Sequence, residues 1–255
     1  MLVLLSCAKT MHSASKIKAP LATNPQFAKE AAEIAMHMSQ FTVEELEHAL
    51  RINSKLGVEN YKRFQDFHSE DNHAVQAVLA YTGIVFKYLN PKGFTKEDFM
   101  YAQDHLRLTS FCYGLLRPMD MIKNYRLEGD VKLPELGGIS MFEYWRPKLT
   151  DTFIAAIKAA GGTLINLASN EMKSLFDWKR VENEVRIITP EFKVIKNGKA
   201  DTIVVYTKMS RGAMTNFILT NRIEKPELLK QYSWEGFEFD ETRSDNKTYT
   251  YILGG

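Results

Sequence analysis

Two spacings of apolar residues organise this chain, and they predict a mixture of strands and helices. Leu2–Leu5 is an unbroken apolar run that exits into Ser6-Cys7-Ala8-Lys9-Thr10, the pattern of a buried strand followed by a polar loop. Asn24-Pro25 predicts a helix start, with Phe27, Ala31, Ile34, Ala35 and Met38 on one face. Phe41-Thr42-x-x-Glu45 has the form of a capping box with an apolar residue ahead of it. The helix it opens carries Val43, Leu46 and Leu50, breaks at Leu56-Gly57-Val58, and resumes with Tyr61 and Phe64. Residues 42–66 therefore predict a helix–hairpin–helix, its turn at Gly57 flanked by Lys55, Lys62 and Arg63.

Helical spacing returns over His73 to Tyr81, over Gly83 to Leu89, and after the cap-like Thr95-x-x-Asp98, where Phe99, Ala102 and Leu106 share a face. Leu108 to Leu116 predicts one strand with Gly114 inside it, ended by Arg117-Pro118. Met141 to Trp145 and Leu149 to Ala160 are helical, the second stopped by Gly161-Gly162. Thr163 to Ser169 predicts a short buried strand, and Asn170-Glu171 opens a short helix through Phe176. Val185 to Ile188 and Phe192 to Ile195 alternate with the strand period, Asn197-Gly198 marks a hairpin, and Thr202 to Thr207 is the expected returning strand. Arg211 to Asn221 predicts a helix, and Trp234 to Phe239 with Tyr249 to Leu253 a last strand pair.

This alternation, without repeat, low-complexity segment or linker, predicts one α+β (mixed α/β) domain over residues 1–255, a mixed sheet flanked by helices. At 255 residues and 45% hydrophobic the chain can bury a core without staples. A net charge of +2 provides no global basic field, so any contact with nucleic acid must use a local patch. Two cysteines, Cys7 and Cys112, make no disulfide framework and fit free thiols in a reduced, cytoplasmic compartment. No apolar run nears the ~20 residues of a membrane span, so no membrane partner is expected.

The densest mixture of charge and apolar character is Gln103 to Glu128. There His105, Arg107, Arg117 and Arg126 sit beside Leu106, Leu108, Phe111, Leu115 and Leu116. Arginines so placed are either held by carboxylates such as Asp104, Asp120 and Glu128 or aimed into a cleft. Polar residues also follow three predicted strands: Ser6, Lys9 and Thr10; Asn166, Ser169 and Glu171; and Lys208, Ser210 and Arg211. If those strands are parallel neighbours, their ends meet on one rim with Arg107, Tyr113, Arg117, Tyr125, Arg126 and Glu128. That rim would be a positively charged cleft suited to phosphate or carboxylate, with Arg211-Gly212 at a helix start. Lys9 alone is open between a solvated loop lysine and an anion clamp. The chain has no phosphate-binding glycine loop, no H-E-x-x-H and no C-x-x-C, and its histidines lack paired ligand spacing, so neither cofactor nor metal is expected. No motif assigns a reaction.

Several of these blocks resemble the peroxide stress protein YaaA family. Ser6-Cys-Ala-Lys-Thr10 is similar to its Ser-Pro-Ala-Lys-Thr start, with Cys7 in place of the proline. Gln103-x-His-Leu-Arg107, Tyr113-Gly-x-Leu-Arg-Pro-x-Asp120 and Tyr125-Arg-Leu-Glu128 resemble its central motif. Asn166-Leu-Ala-Ser-x-Glu171, Ser210-Arg-Gly-x-Met214 and Glu235-Gly-Phe-x-Phe-Asp240 resemble its later blocks, in the same order. The resemblance implies a cytosolic bacterial protein of the hydrogen peroxide response. It also implies double-stranded DNA binding through a basic cleft and a helix–hairpin–helix, and protection from iron-driven oxidation. The competing expectation from the residues is an enzyme acting on a small anionic substrate in that cleft, since Ser6, Lys9, Tyr113 and Glu128 are mixed there with arginines and a nonspecific DNA surface has little use for Glu128.

Overall fold

The computed structural model describes residues 1–254. In chain order the elements are β1 (Leu2–Leu5), α1 (Ala28–Met38), α2 (Val43–Leu50), α3 (Ser54–Gln65), β2 (Val75–Gln76), α4 (Ala77–Ala80) and α5 (Ile84–Leu89). Then come α6 (Lys96–His105), β3 (Leu106–Ser110), β4 (Gly114–Leu116), β5 (Met121–Ile122), α7 (Met141–Ala159) and β6 (Thr163–Asn166). The chain ends with α8 (Trp178–Glu184), β7 (Arg186–Lys196), β8 (Lys199–Asp201), α9 (Val204–Thr220), β9 (Phe237–Phe239) and β10 (Thr248–Leu253).

The main sheet runs β4-β3-β1-β6-β7-β10-β9, with β8 paired to β7. Its inner steps are parallel: Val3 lies opposite Leu106 on one side and Ile165 on the other. β4, β8 and β9 pair antiparallel, so the sheet is mixed. All four residues of β1 are buried, which is why that run is continuously apolar. The chain leaves β1 for β3 on one flank and returns to β6 on the other. The carboxyl end of β1 is therefore the point where strand order reverses, and a crevice opens there in sheets of this kind.

Local chemistry explains most helix starts. Thr42 with Glu45, Thr95 with Asp98 and Ser140 with Glu143 each form both halves of a capping box. α7 runs unbroken through Pro147, joining the two helical stretches expected on either side of it. Asn197 and Gly198 take the positive φ values of the hairpin turn.

Several expectations are corrected. α1 starts at Ala28 rather than at Asn24-Pro25, and its N-cap residue Phe27 makes no side-chain cap. His73 to Tyr81 splits into β2, paired with β5, and the single turn α4. Leu108 to Leu116 is two strands, because the chain folds back at Phe111–Tyr113 and Gly114 takes φ +71°. Thr202 to Thr207 is not a strand: the returning strand is only β8, and α9 begins at Val204. Its β-branched residues sit in an exposed first turn, with Val204 65% exposed, where no strand neighbour rewards them. The hairpin of helices turns at Arg51–Asn53, where Arg51 is left-handed and Asn53 caps α3, and not at Gly57. Gly57 lies inside α3 against α2; a Cβ there would meet Glu47 Cγ at 2.7 Å.

Candidate functional site

At the carboxyl ends of β1 and β6 the two polar exit loops meet. The Ser169 amide donates to Ser6 Oγ at 2.9 Å, and the two hydroxyls lie 3.2 Å apart. Around them opens a cleft of about 410 Å³, walled by the loop after β1, the Thr82–Phe86 segment, the strand-like stretch Tyr125–Glu128, the loop after β6, and α9. Ser6, Lys9, Thr10, Tyr125, Arg126, Glu128, Ser169, Glu171, Lys208 and Arg211 all line it.

Four cations, Lys9, Arg126, Lys208 and Arg211, thus face two carboxylates, Glu128 and Glu171. Glu128 is buried, and its two oxygens are taken by Lys9 Nζ at 2.7 Å and an Arg126 terminal nitrogen at 3.4 Å. The second contact is long for a charge-assisted hydrogen bond, so Arg126 is loosely held. Arg126 Nε is buried and has no partner. The same is true of Arg211 Nε, on a guanidinium whose pKa burial lowers, with Glu191 pulling the other way. A guanidinium offers five N–H donors and stays charged, and a buried unsatisfied donor costs about 1–3 kcal/mol. Two such donors, buried on residues that line one cleft, leave its wall short of acceptors.

The floor is a buried hydroxyl chain. Tyr125 bonds Tyr81 and Ser110, each at 2.6 Å, and burial drives both phenols well above the ordinary range. Thr82 donates to Thr10 at 2.6 Å. Cys7 lies in the same wall; burial pushes its thiol up to about 12, and its amide donates to Thr109 at 3.2 Å.

Five residues predicted for this rim do not line the cleft, among them Ser210, which is buried in α9. Arg107 turns back to donate to the Gln103 and Leu106 carbonyls at 3.0 and 2.8 Å. Arg117 pairs with buried Asp120 at 3.1 Å. The Tyr113 hydroxyl accepts from the Lys123 amide at 2.9 Å. Asn166 is buried in the sheet end, where its Oδ1 accepts from the Ala168 amide. Arg211 does not open a helix either; it lies midway along α9, and its approach to the cleft depends on Gly212, which packs against α5. His105, stacked on Tyr101 and bonded to the Met1 carbonyl at 3.0 Å, is structural. The Thr82–Phe86 wall went unseen in the sequence; its signal was Gly83, which takes φ +100°.

Of the hairpin residues, Lys55 and Lys62 are exposed on α3, Arg63 is tied to Glu59 and Asn60, and Gly57 is buried. The turn reaches the cleft rim through Arg51, whose guanidinium bonds Asp130 at 2.6 and 2.9 Å. Among the described residues no group of three or more His, Cys, Asp or Glu is placed to hold a metal, and no helix is long and apolar enough to cross a membrane.

Residues 1–243 match the family model described as peroxide stress protein YaaA. The chain is 69% identical over 254 residues to a UPF0246 protein of Bacteroides thetaiotaomicron, covering 100% of this chain and 99% of the relative. A UPF0246 protein of Porphyromonas gingivalis is 47% identical over 255 residues, covering 99% of this chain and 100% of its own. One from Crocosphaera subtropica is 35% identical over 253 residues, with the same two coverages.

Proposed function

The chain belongs to the peroxide stress protein YaaA family, and we propose that it serves there by binding double-stranded DNA across the cleft, with backbone phosphate held by its arginines. What supports this reading is the pair of buried, unpartnered donors, Arg126 Nε and Arg211 Nε, behind a rim carrying the exposed Lys9 and Lys208. A cleft of about 410 Å³ admits a phosphate and its sugar but not a duplex. The duplex therefore lies across the mouth, and the exposed Lys55 and Lys62 of α3 are further cations this reading assigns to it. Bound protein shields the backbone from iron-generated oxidants, which gives the reading its link to peroxide defence.

A gel-shift titration against salt tests it. Two to four neutralised phosphates predict a slope of about −2 to −4 in log K against log salt. Lys9→Ala with Arg211→Ala lowers affinity and flattens the slope, and removes protection of plasmid from nicking by ferrous iron and peroxide. No binding at low salt refutes the reading.

A second reading, an enzyme acting on a small phosphate- or carboxylate-bearing molecule, has one observation in its favour. Glu128 is a buried carboxylate inside the cleft, a cost that a surface for phosphate alone would avoid. A small phosphorylated compound that protects the fold against heat, at concentrations where duplex DNA does not, selects this reading over the first.

A further inference from the structure

A second and larger cavity, about 700 Å³, lies on the other side of the Thr82–Phe86 wall. It is unrelated to the phosphate reading and opens between the loop following Met11 and the region from α4 to Lys92. The loop is anchored at its base, where the His12 amide donates to the Ala80 carbonyl at 2.8 Å.

Its chemistry is segregated. Ile17, Val78, Leu79, Phe86 and Pro91 form apolar walls. The Tyr81 hydroxyl behind them is already committed to Tyr125, so it gives a ligand little to bond at depth. Lys16, Lys87 and Lys92 are exposed residues of the same lining, which contains no carboxylate. The lysines that form ion pairs among the described residues are Lys9, Lys158, Lys193 and Lys230, so these three are uncompensated. Lys87 is held over the Tyr88 ring, 5.6 Å from its centroid. Three uncompensated cations in the lining of a chamber with apolar walls favour one kind of occupant. Its body is apolar and its end is anionic.

We propose that this cavity is a ligand site for a small amphipathic anion, an apolar body seated against Phe86 and Leu79 with one carboxylate, sulfonate or phosphate held at the mouth by Lys16, Lys87 and Lys92. The volume falls within the roughly 300–1,000 Å³ of small-molecule sites, and apolar walls with a few convergent polar groups are the usual composition of such sites. The cleft differs on both counts that matter here, since it has carboxylates in its wall and unpartnered donors at depth.

Two fluorescent probes sharing one ring system test this on the full chain: 1-anilinonaphthalene-8-sulfonate and its uncharged counterpart N-phenyl-1-naphthylamine. The sulfonate binds at one site per chain and about tenfold tighter than the neutral probe, an advantage that shrinks with added salt. Lys87→Ala with Lys92→Ala removes most of that advantage and leaves the neutral probe unchanged. Ile17→Trp narrows the chamber and weakens binding of both; Ala14→Trp, on the exposed loop, serves if the first variant melts early. Val204→Ser with Val205→Ser, which removes the exposed apolar patch on α9, changes nothing. Equal affinity for the two probes, loss of binding in the α9 variant, or wild-type binding in both tryptophan variants each overturns the proposal.

Discussion

Gly212→Ala sets two effects of opposite sign against each other. Within a helix, alanine is favoured over glycine by about 1 kcal/mol, so from α9 alone the change stabilises. The packing says otherwise. A Cβ at 212 meets the Val85 carbonyl oxygen at 2.2 Å, the Leu89 amide nitrogen at 2.9 Å and Tyr88 Cβ at 3.0 Å. The two closest are backbone atoms of α5 that no side-chain rotation can move. Ordinary contact requires α5 and α9 to separate by about 1 Å, and because backbone rather than side chain must yield, the cost falls in the upper part of the overpacking range, about 2–3 kcal/mol. The net is a loss of about 1–2 kcal/mol, or roughly 2–8 °C in Tm for a chain of this size. Displacement of α9 also carries Arg211 away from Arg126, so anion binding falls more than stability does. Thermal unfolding by circular dichroism, with phosphate or DNA titrations on the same samples, reads both quantities. A Tm equal to or above that of the parent chain refutes the packing argument; a lowered Tm with unaltered binding refutes the link from Gly212 to the cleft.

Both thiols should be inert in the native protein. Burial holds Cys7 at about 12 and Cys112 higher still, so alkylation at mildly alkaline pH proceeds only after denaturation, and rapid native labelling seen by mass spectrometry contradicts this. Stability should fall as pH rises through roughly 9 to 10. Tyr81, Tyr125 and Cys7 keep their protons when folded and release them when unfolded, so the stabilisation is present below the unfolded values of 10.0 and 9.0 and is lost above them. Reversible tyrosinate absorbance from all the tyrosines without loss of circular dichroism counts against it. Lys55→Ala with Lys62→Ala should leave Tm within a degree or two, because neither lysine is paired, while making the salt dependence of DNA binding shallower; an unchanged slope means α3 only packs. Ser140→Ala should cost about 1 kcal/mol by removing the α7 cap, and an unchanged Tm rules the cap out as a stabilising contact.

The chain disclosed its local chemistry well. Thr42 and Thr95 announced their helices because a capping box is complete within four residues, and Asn197-Gly198 announced its hairpin because positive φ is a property of those residues themselves. What failed was decided by distant neighbours. Ile203-Val204-Val205 has strand propensity, but no strand lies beside it, so only Ile203 stays extended and α9 begins at Val204. Gly57 looked like a break and Gly212 like part of a helix start, whereas each is a point of close approach between two helices. The rim was partly legible because the ends of β1 and β6 are parallel neighbours, as their exit loops required. Arg107 and Arg117 were misplaced because spacing alone does not say whether a guanidinium turns toward a backbone carbonyl, a nearby carboxylate or an open cleft.

The position of β1 between β3 and β6 also bears on how the protein is made. Leu2–Leu5 leaves the ribosome well before its neighbours, which begin at Leu106 and Thr163. At about 5–20 residues per second the second of these arrives some 8–30 s later. An uncharged apolar strand thus has both hydrogen-bonding edges open until β3 emerges and one edge open until β6 does, so nascent chains halted before residue 163 should require a holdase to stay in solution, and chains halted well beyond it should not. Full solubility of the shorter chains without a chaperone would show that the opening strand is sheltered by some earlier partner.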